Sequence, residues 1–336
     1  LAGAWHACAP GAIDSGMAFK SGVVAIVGRP NAGKSTLVNT VVGRKVAIVS
    51  PRPQTTRNRI QGILNRENAQ IILIDTPGIH KPDNILSHQM MGETEQATEG
   101  VDIISLIVDV TSEFGPGDRY SAQWLKRFRI PVFLLLNKID RVSKPMLLPL
   151  IDHWRQKFEF AEIFPISALT GEGCAALVES WIAKLPEAPA HFPDDQYTDQ
   201  PERFLVSELI REQALRITRE EVPHAIAVFI DRFEERESLI KVLATIYVER
   251  EGQKGILIGK GGETIKRIGT LARKEIEVML GVHVFLELMV KVQPNWRRNR
   301  GIVRQLDWRR QLEQMSAGAE LDEDATEEES DIEPES

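Results

Sequence analysis

Cysteine is nearly missing from this chain: there are two in 336 residues, Cys8 and Cys174. They offer no disulfide framework and no metal-ligand spacing, which excludes a disulfide-stapled secreted module and suits a reducing cytoplasm. Long apolar runs are missing too, and no stretch approaches the ~18 residues needed to span a bilayer. The first sixteen residues, LAGAWHACAPGAIDSG, lack a basic start and a continuous apolar segment, so they do not read as a signal peptide. Met17 sits just before the first strand, and residues 1–16 are expected to be a non-native or upstream extension outside the fold.

Basic residues are absent from the end of the chain. Glu320–Ser336 holds ten Asp or Glu and no Lys or Arg, so the formal charge of -7 belongs to the tail and the remainder carries +3. Residues 241–316 hold 15 Lys or Arg against 8 Asp or Glu. A basic block followed by an acidic tail points to a nucleic-acid partner, although a solvated basic face with a solubilising tail explains the charge equally well. The length suits two domains, at roughly 100–200 residues each.

The first half alternates short β-rich runs (Val23–Val27, Ile71–Ile74, Ile103–Val108, Val132–Leu136, Glu162–Ile166) with helical patterns. This predicts an α/β domain over 17–186, with a mixed, mostly parallel sheet covered on both faces. Residues 187–201, rich in Pro and acids, read as a linker. Residues 202–315 are expected to form an α+β domain: a helix, two strands, a glycine-rich turn, a long helix over Glu263–Leu280, a strand, and a helix starting near Trp296. Residues 316–336 are expected to be a disordered tail.

Gly28-Arg29-Pro30-Asn31-Ala32-Gly33-Lys34-Ser35 fits the phosphate-loop pattern G-x-x-x-x-G-K-[ST], between a strand and a helix that continues through Thr36. Such a loop curls backbone N–H groups around phosphates, with Lys34 on the β- and γ-phosphates and the Ser35 hydroxyl on Mg²⁺. Asp75-Thr76-Pro77-Gly78 closes a strand, where the carboxylate can hold Mg²⁺ and the Gly78 N–H can meet the γ-phosphate. Asn137-Lys138-Ile139-Asp140 supplies base choice, because Asp140 can accept from guanine N1–H and the exocyclic amine, donors that adenine lacks there. Ser167-Ala168-Leu169 can bring a backbone N–H to guanine O6.

This ordered set resembles the translation-factor-related GTPases, and the Pro-Asn within the loop resembles their Era and TrmE branch. The resemblance implies that Gln54-Thr55-Thr56-Arg57 is the first switch segment, with Thr56 binding Mg²⁺ and Thr55 as the alternative. It also implies that Asn31 helps hold a potassium ion in place of an arginine finger. Lys34, Thr56 and Gly78 are then the expected catalytic groups. Ile79 stands where Ras-type proteins carry a water-orienting Gln, so slow intrinsic hydrolysis is expected.

Gly255-Ile-Leu-Ile258-Gly259-Lys260-Gly261-Gly262 precedes the long helix, and its G-x-x-G core resembles the loop that clamps about four nucleotides in a KH module. Lys260, Lys266 and Arg267 add positive charge beside it. The element order resembles a type II KH domain. Trp296-Arg-Arg-Asn-Arg300 reads either as a further phosphate contact or as a solvated helix packed by Trp296 and Trp308.

A phosphate-loop GTPase joined to a C-terminal type II KH domain resembles the Era family. The resemblance implies binding near the 3′ end of 16S rRNA, help in assembling the 30S subunit, a monomer, and cytoplasmic residence with peripheral contact to the inner membrane. The family often carries Lys at the third loop position, and GKGG here moves that charge to Lys260. Two other classes compete. A signalling or membrane-associated GTPase would recruit protein through its second domain. A helper of a tRNA-modifying enzyme, as TrmE is, would need a cysteine that the C-terminal half lacks.

Overall fold

A computed structural model describes residues 18–309 except 53, 81, 220, 221 and 237. The expected N-terminal extension, the end of the last domain and the acidic tail lie outside the described residues.

The first unit runs β1 (Lys20–Gly28), α1 (Lys34–Val42), β2 (Ile60–Arg66), β3 (Ala69–Asp75), α2 (Ile85–Gln96), β4 (Ile103–Asp109), α3 (Pro116–Leu125), β5 (Val132–Asn137), α4 (Leu147–Arg155), β6 (Glu162–Ile166) and α5 (Cys174–Lys184). Its sheet has the order β2-β3-β1-β4-β5-β6, parallel except for β2. The β-branched run of β1 is buried on both faces because helices cover both. Val24 and Ile26 face Leu37 of α1 and Trp181 of α5, while Ala25 and Val27 face Met91 of α2 and Leu125 of α3. Parallel strands covered in this way leave their carboxyl ends open for a ligand.

Sequence reasoning found five of these six strands. β2 was passed over because Gln61, Gly62 and Asn65 dilute its apolar pattern. It exists through antiparallel pairing with β3 and through the 187–200 segment, which covers its outer edge. There Ile63 N–H donates to Tyr197 O at 2.9 Å, and Asn65 Nδ2 donates to Asp194 O at 2.8 Å. The expected linker is thus also an edge cover.

The second unit runs α6 (Glu202–Ile217), α7 (Val222–Ala225), β7 (Ala227–Arg236), β8 (Leu239–Val248), α8 (Glu251–Ile258), α9 (Glu263–Leu280), β9 (His283–Val292) and α10 (Arg300–Gln305). Antiparallel β7-β8 and parallel β8-β9 make a three-stranded sheet. Alternate β8 residues Val242, Ala244, Ile246 and Val248 pack with Ile210 of α6 and with Ile268, Ala272 and Ile276 of α9. The four- and eight-residue spacing in α9 sets one apolar face on the sheet. Two expectations need correction. Gly255 and Ile258 lie in helix α8 rather than a turn, and Trp296 opens a single 3-10 turn ahead of α10. No described helix is long and apolar enough to cross a membrane.

The units meet where segment 45–59 and α2 pack on the second unit. Val49 N–H donates to Glu212 at 3.1 Å, Lys45 pairs with Glu212 and Glu275, and Asn58 Nδ2 donates to Leu306 O at 3.0 Å. Leu86 and Met90 of α2 join Ala227, Trp296 and Val303 in one apolar cluster.

Candidate functional site

At the carboxyl end of β1 the chain turns through residues 29–33 into α1, beside an open cleft of about 390 Å³. Pro30, Asn31, Gly33, Lys34, Ser35 and Thr36 line it, opposite Pro51, Gln54, Thr55, Thr56 and Gly78. Gly33 has φ 104°, and a Cβ there would meet Asn137 Nδ2 at 2.2 Å, so only glycine allows the loop to close on the β5 end.

Lys34 is buried, and among the described residues its ammonium donates only to the Gly28 and Arg29 carbonyls, at 3.2 and 3.0 Å. Burial lowers its pKa to about 8, against the opposing pull of Asp75. Asp75 is also buried, and burial raises its pKa to about 6 despite Lys34 and hydrogen bonds from Ser35, Thr56 and Thr76. Ser35 Oγ donates to Asp75 Oδ2 at 2.6 Å and lies 2.9 Å from Thr56 Oγ1, which is 3.4 Å from the same carboxylate oxygen. Asp75 Oδ1 has no partner among the described residues. Two hydroxyls and a buried carboxylate with an orphaned oxygen form an all-oxygen donor set that fits Mg²⁺. A buried ammonium held only by carbonyls fits phosphate.

The geometry separates the two threonines. Thr55 Oγ1 donates to Arg52 O at 2.6 Å, so Thr56 is the one that meets Ser35 and Asp75. Asn31 adopts φ 63° and donates from Nδ2 to Pro51 O at 2.8 Å, which ties the phosphate loop to the switch segment.

Several expected residues do not line the cleft and bond elsewhere. Arg29 turns its guanidinium to Asp118 at 2.8 Å. The Ile79 side chain is buried in the core, and its N–H donates to Gly28 O at 2.9 Å. Thr76 Oγ1 donates to Ile26 O at 2.8 Å, and Pro77 O accepts from Thr94 at 3.2 Å. The structure adds Ile48, Val49, Ser50 and Arg141 to the cleft wall. Ile48, Val49 and Ser50 arrive on a loop that no motif marks, and Arg141 ends the 3-10 turn that follows Lys138.

At the base end Asn137 laces three segments together: Nδ2 donates to Ala32 O at 2.7 Å, and Oδ1 accepts from Ala168 N–H at 2.8 Å. Ser167 Oγ donates to Asp140 Oδ1 at 2.7 Å. Lys138, at φ 70°, bridges Asn31 O at 2.9 Å and Asp109 Oδ2 at 2.5 Å. Its pairing, together with bonds from Thr111, holds the Asp109 carboxyl below the usual range although burial opposes this. Sequence reasoning missed Asp109; its only signal was an acid closing strand β4. Leu169 is exposed, so only its backbone can serve.

In the second unit, Gly259, Gly261 and Gly262 all have positive φ. A Cβ on Gly259 would meet Thr264 Oγ1 at 2.2 Å, whereas Gly261 and Gly262 face open space. The turn leaves the N-terminus of α9 without a side-chain cap, with Lys260, Lys266 and Arg267 exposed around it. A helix N-terminus without a side-chain cap, flanked by cations, suits a phosphodiester chain. Trp296 is buried and Arg297 pairs with Glu249 at 2.5 Å, so this much of the WRRNR segment is structural. Arg298 and Arg300 remain exposed.

Comparison with known proteins agrees with this geometry. A family model described as 50S ribosome-binding GTPase matches residues 23–138, and one described as KH domain matches residues 221–297. GTPase Era from Staphylococcus haemolyticus (strain JCSC1435) is 50% identical over 290 residues, which is 86% of this chain and 97% of that protein. A solved structure of Era with MgGDPNP and nucleotides 1506–1542 of 16S ribosomal RNA superposes with TM-score 0.84 at 44% identity. It covers 86% of this chain and 99% of the other. A variant of Aquifex aeolicus Era bound to GDP and aluminium fluoride gives TM-score 0.84 at 43% identity, with the same coverage. Half identical to the Staphylococcus protein over 86% of its own length, and carrying the same two units in the same order, this chain belongs to the GTPase Era family and is a GTPase.

Proposed function

We propose that the protein is a GTP-gated rRNA-binding factor that acts near the 3′ end of 16S rRNA and assists assembly of the 30S subunit. GTP lies in the cleft with its phosphates on the 28–36 loop and Lys34, and its guanine on Asp140 and the Ser167–Leu169 backbone. Mg²⁺ supplies charge neutralisation between the phosphates when bound, and Ser35, Thr56 and Asp75 are the residues that hold it. Thr56 and Gly78 close over the γ-phosphate, and hydrolysis releases the 51–59 and 78–84 segments. Ile79 points into the core and cannot orient water, so intrinsic turnover is slow. Asn31 is the residue that would help hold a potassium ion, which would supply the missing positive charge.

The observation that carries this reading is the convergence of Ser35, Thr56 and Asp75 oxygens beside the buried Lys34. The RNA half is supported by the exposed GKGG turn with its three cations, and by the similar Era bound to 16S rRNA nucleotides. The family resemblance supports a cytoplasmic monomer with peripheral contact to the inner membrane. The test is the affinity of the purified protein for a 3′-terminal 16S rRNA fragment, with GTP analogue and with GDP. Tighter binding in the analogue form is expected, and equal affinity in both forms would overturn the gating.

A further inference from the structure

Thr56 stands between two residues that each bond to the second unit. On one side, the Thr55 carbonyl accepts a hydrogen bond from Arg211 Nη2 of α6. On the other, Arg57 Nη1 donates to Ile226 O at 2.7 Å, and its guanidinium lies 5.3 Å from the centroid of the Trp296 ring. The Thr56 hydroxyl points the opposite way, to Ser35 and Asp75. The residue that faces Ser35 and Asp75 is therefore held between two anchors from outside its own unit.

Of the two, Arg211 is built for the task. It is 2% exposed, and Glu208 takes its Nε at 2.7 Å and its Nη2 at 2.6 Å, a fork that fixes the plane of the guanidinium before it meets Thr55. A buried ion pair is a poor source of stability compared with apolar packing of the same volume. Its use here is orientation. Thr55 does not compete for the bond, since its own hydroxyl is spent on Arg52 O.

We propose that Arg211 is a positioning residue for GTP hydrolysis: by holding the Thr55 carbonyl it sets the Thr56 hydroxyl at the metal, so that α6 of the RNA-binding unit supports the reaction centre in cis. This rests on the assignment of Thr56 to Mg²⁺. Arg211 does not line the cleft, and it acts through the backbone of one neighbour.

The test compares R211M, R211K and the double variant R211M/E208Q with T56A in the full chain. For each, the Mg²⁺ concentration for half-maximal GTP hydrolysis, kcat, and GDP affinity are measured. R211M is expected to raise the Mg²⁺ requirement and to lower kcat by about tenfold each, the scale of one charge-assisted hydrogen bond. R211K should recover part of both. GDP affinity should stay within about twofold, because GDP offers no γ-phosphate for the Thr56 segment to close upon. A purely structural arginine would lower thermal stability without shifting the Mg²⁺ requirement. If R211M does not fold, the double variant removes both buried charges together and carries the comparison. If T56A shifts the Mg²⁺ requirement but the Arg211 variants do not, the proposal is overturned while the metal assignment stands. If T56A itself leaves that requirement unchanged, the metal assignment falls and the proposal with it.

Discussion

Replacing Trp296 by Ala should undo the seam between the two units. The indole is fully buried, donates from Nε1 to Ala225 O at 2.7 Å, and packs with Leu86 and Met90 of the first unit and Ala227 and Val303 of the second. Emptying a packed tryptophan site costs about 3–5 kcal/mol. The stranded Ala225 carbonyl costs about 1 kcal/mol more, and loss of the Arg57 contact about 1–2 kcal/mol. The total, about 5–8 kcal/mol, is comparable with the whole stability of a typical domain. Since the ring serves both units, part of this loss appears as undocking and part as unfolding of the second unit. Guanidinium unfolding followed by far-ultraviolet circular dichroism should show the single transition of the parent split into two, with the 45–59 segment newly open to limited proteolysis. W296F keeps a ring and loses the N–H, and should cost only about 1–2 kcal/mol. A W296A protein that unfolds in one step within about 1 kcal/mol of the parent would refute the reasoning, because a ring so placed cannot be removed at surface cost.

The sites give four further outcomes. Mg²⁺ requires the Asp75 carboxylate, whose pKa burial raises to about 6, so Mg²⁺-dependent GTP binding should weaken by about tenfold per pH unit below 6; a flat profile from pH 5 to 7 would count against the metal set. In nucleotide-free protein the folded state binds the Asp75 proton more tightly than the unfolded chain. The Asp75 part of stability is therefore lost as pH rises from about 4 to 6, and the cost of burying Lys34⁺ is relieved only as pH rises beyond about 8, both readable from Tm against pH. Asn31→Ala should erase a preference for potassium over sodium in the hydrolysis rate, and equal rates of the parent in both salts would reduce Asn31 to its bond with Pro51. Lys260→Asp combined with Gly261→Asn should leave stability within about 1 kcal/mol, because Gly261 faces open space and Asn tolerates φ 60°. The same change should lower RNA affinity at least about tenfold, and retention of full affinity would remove the turn from the RNA surface.

Much of this molecule was readable along the chain because its chemistry is local. A phosphate loop wraps its ligand with the backbone of consecutive residues, so Gly28–Ser35 carries its own geometry, and the strand runs around it are continuous and apolar. Local pattern failed where packing overrode it. Helix α8 contains Gly252 and Gly255, and it stands because Gln253 Oε1 caps the Glu249 and Arg250 N–H groups at 2.9 and 3.0 Å while Leu257 is driven into the core. Strand β2 needed a neighbour and an edge cover to be a strand at all. The choice between Thr55 and Thr56 was likewise invisible, since adjacent threonines differ only in what each faces once the loop is folded. Least visible were the contacts of Arg57 with Ile226 and of Thr55 with Arg211, which join residues 169 and 156 positions apart. Periodicity and spacing report what a residue's near neighbours require. Which distant side chain will answer a buried guanidinium or carbonyl is settled only when both units close around it.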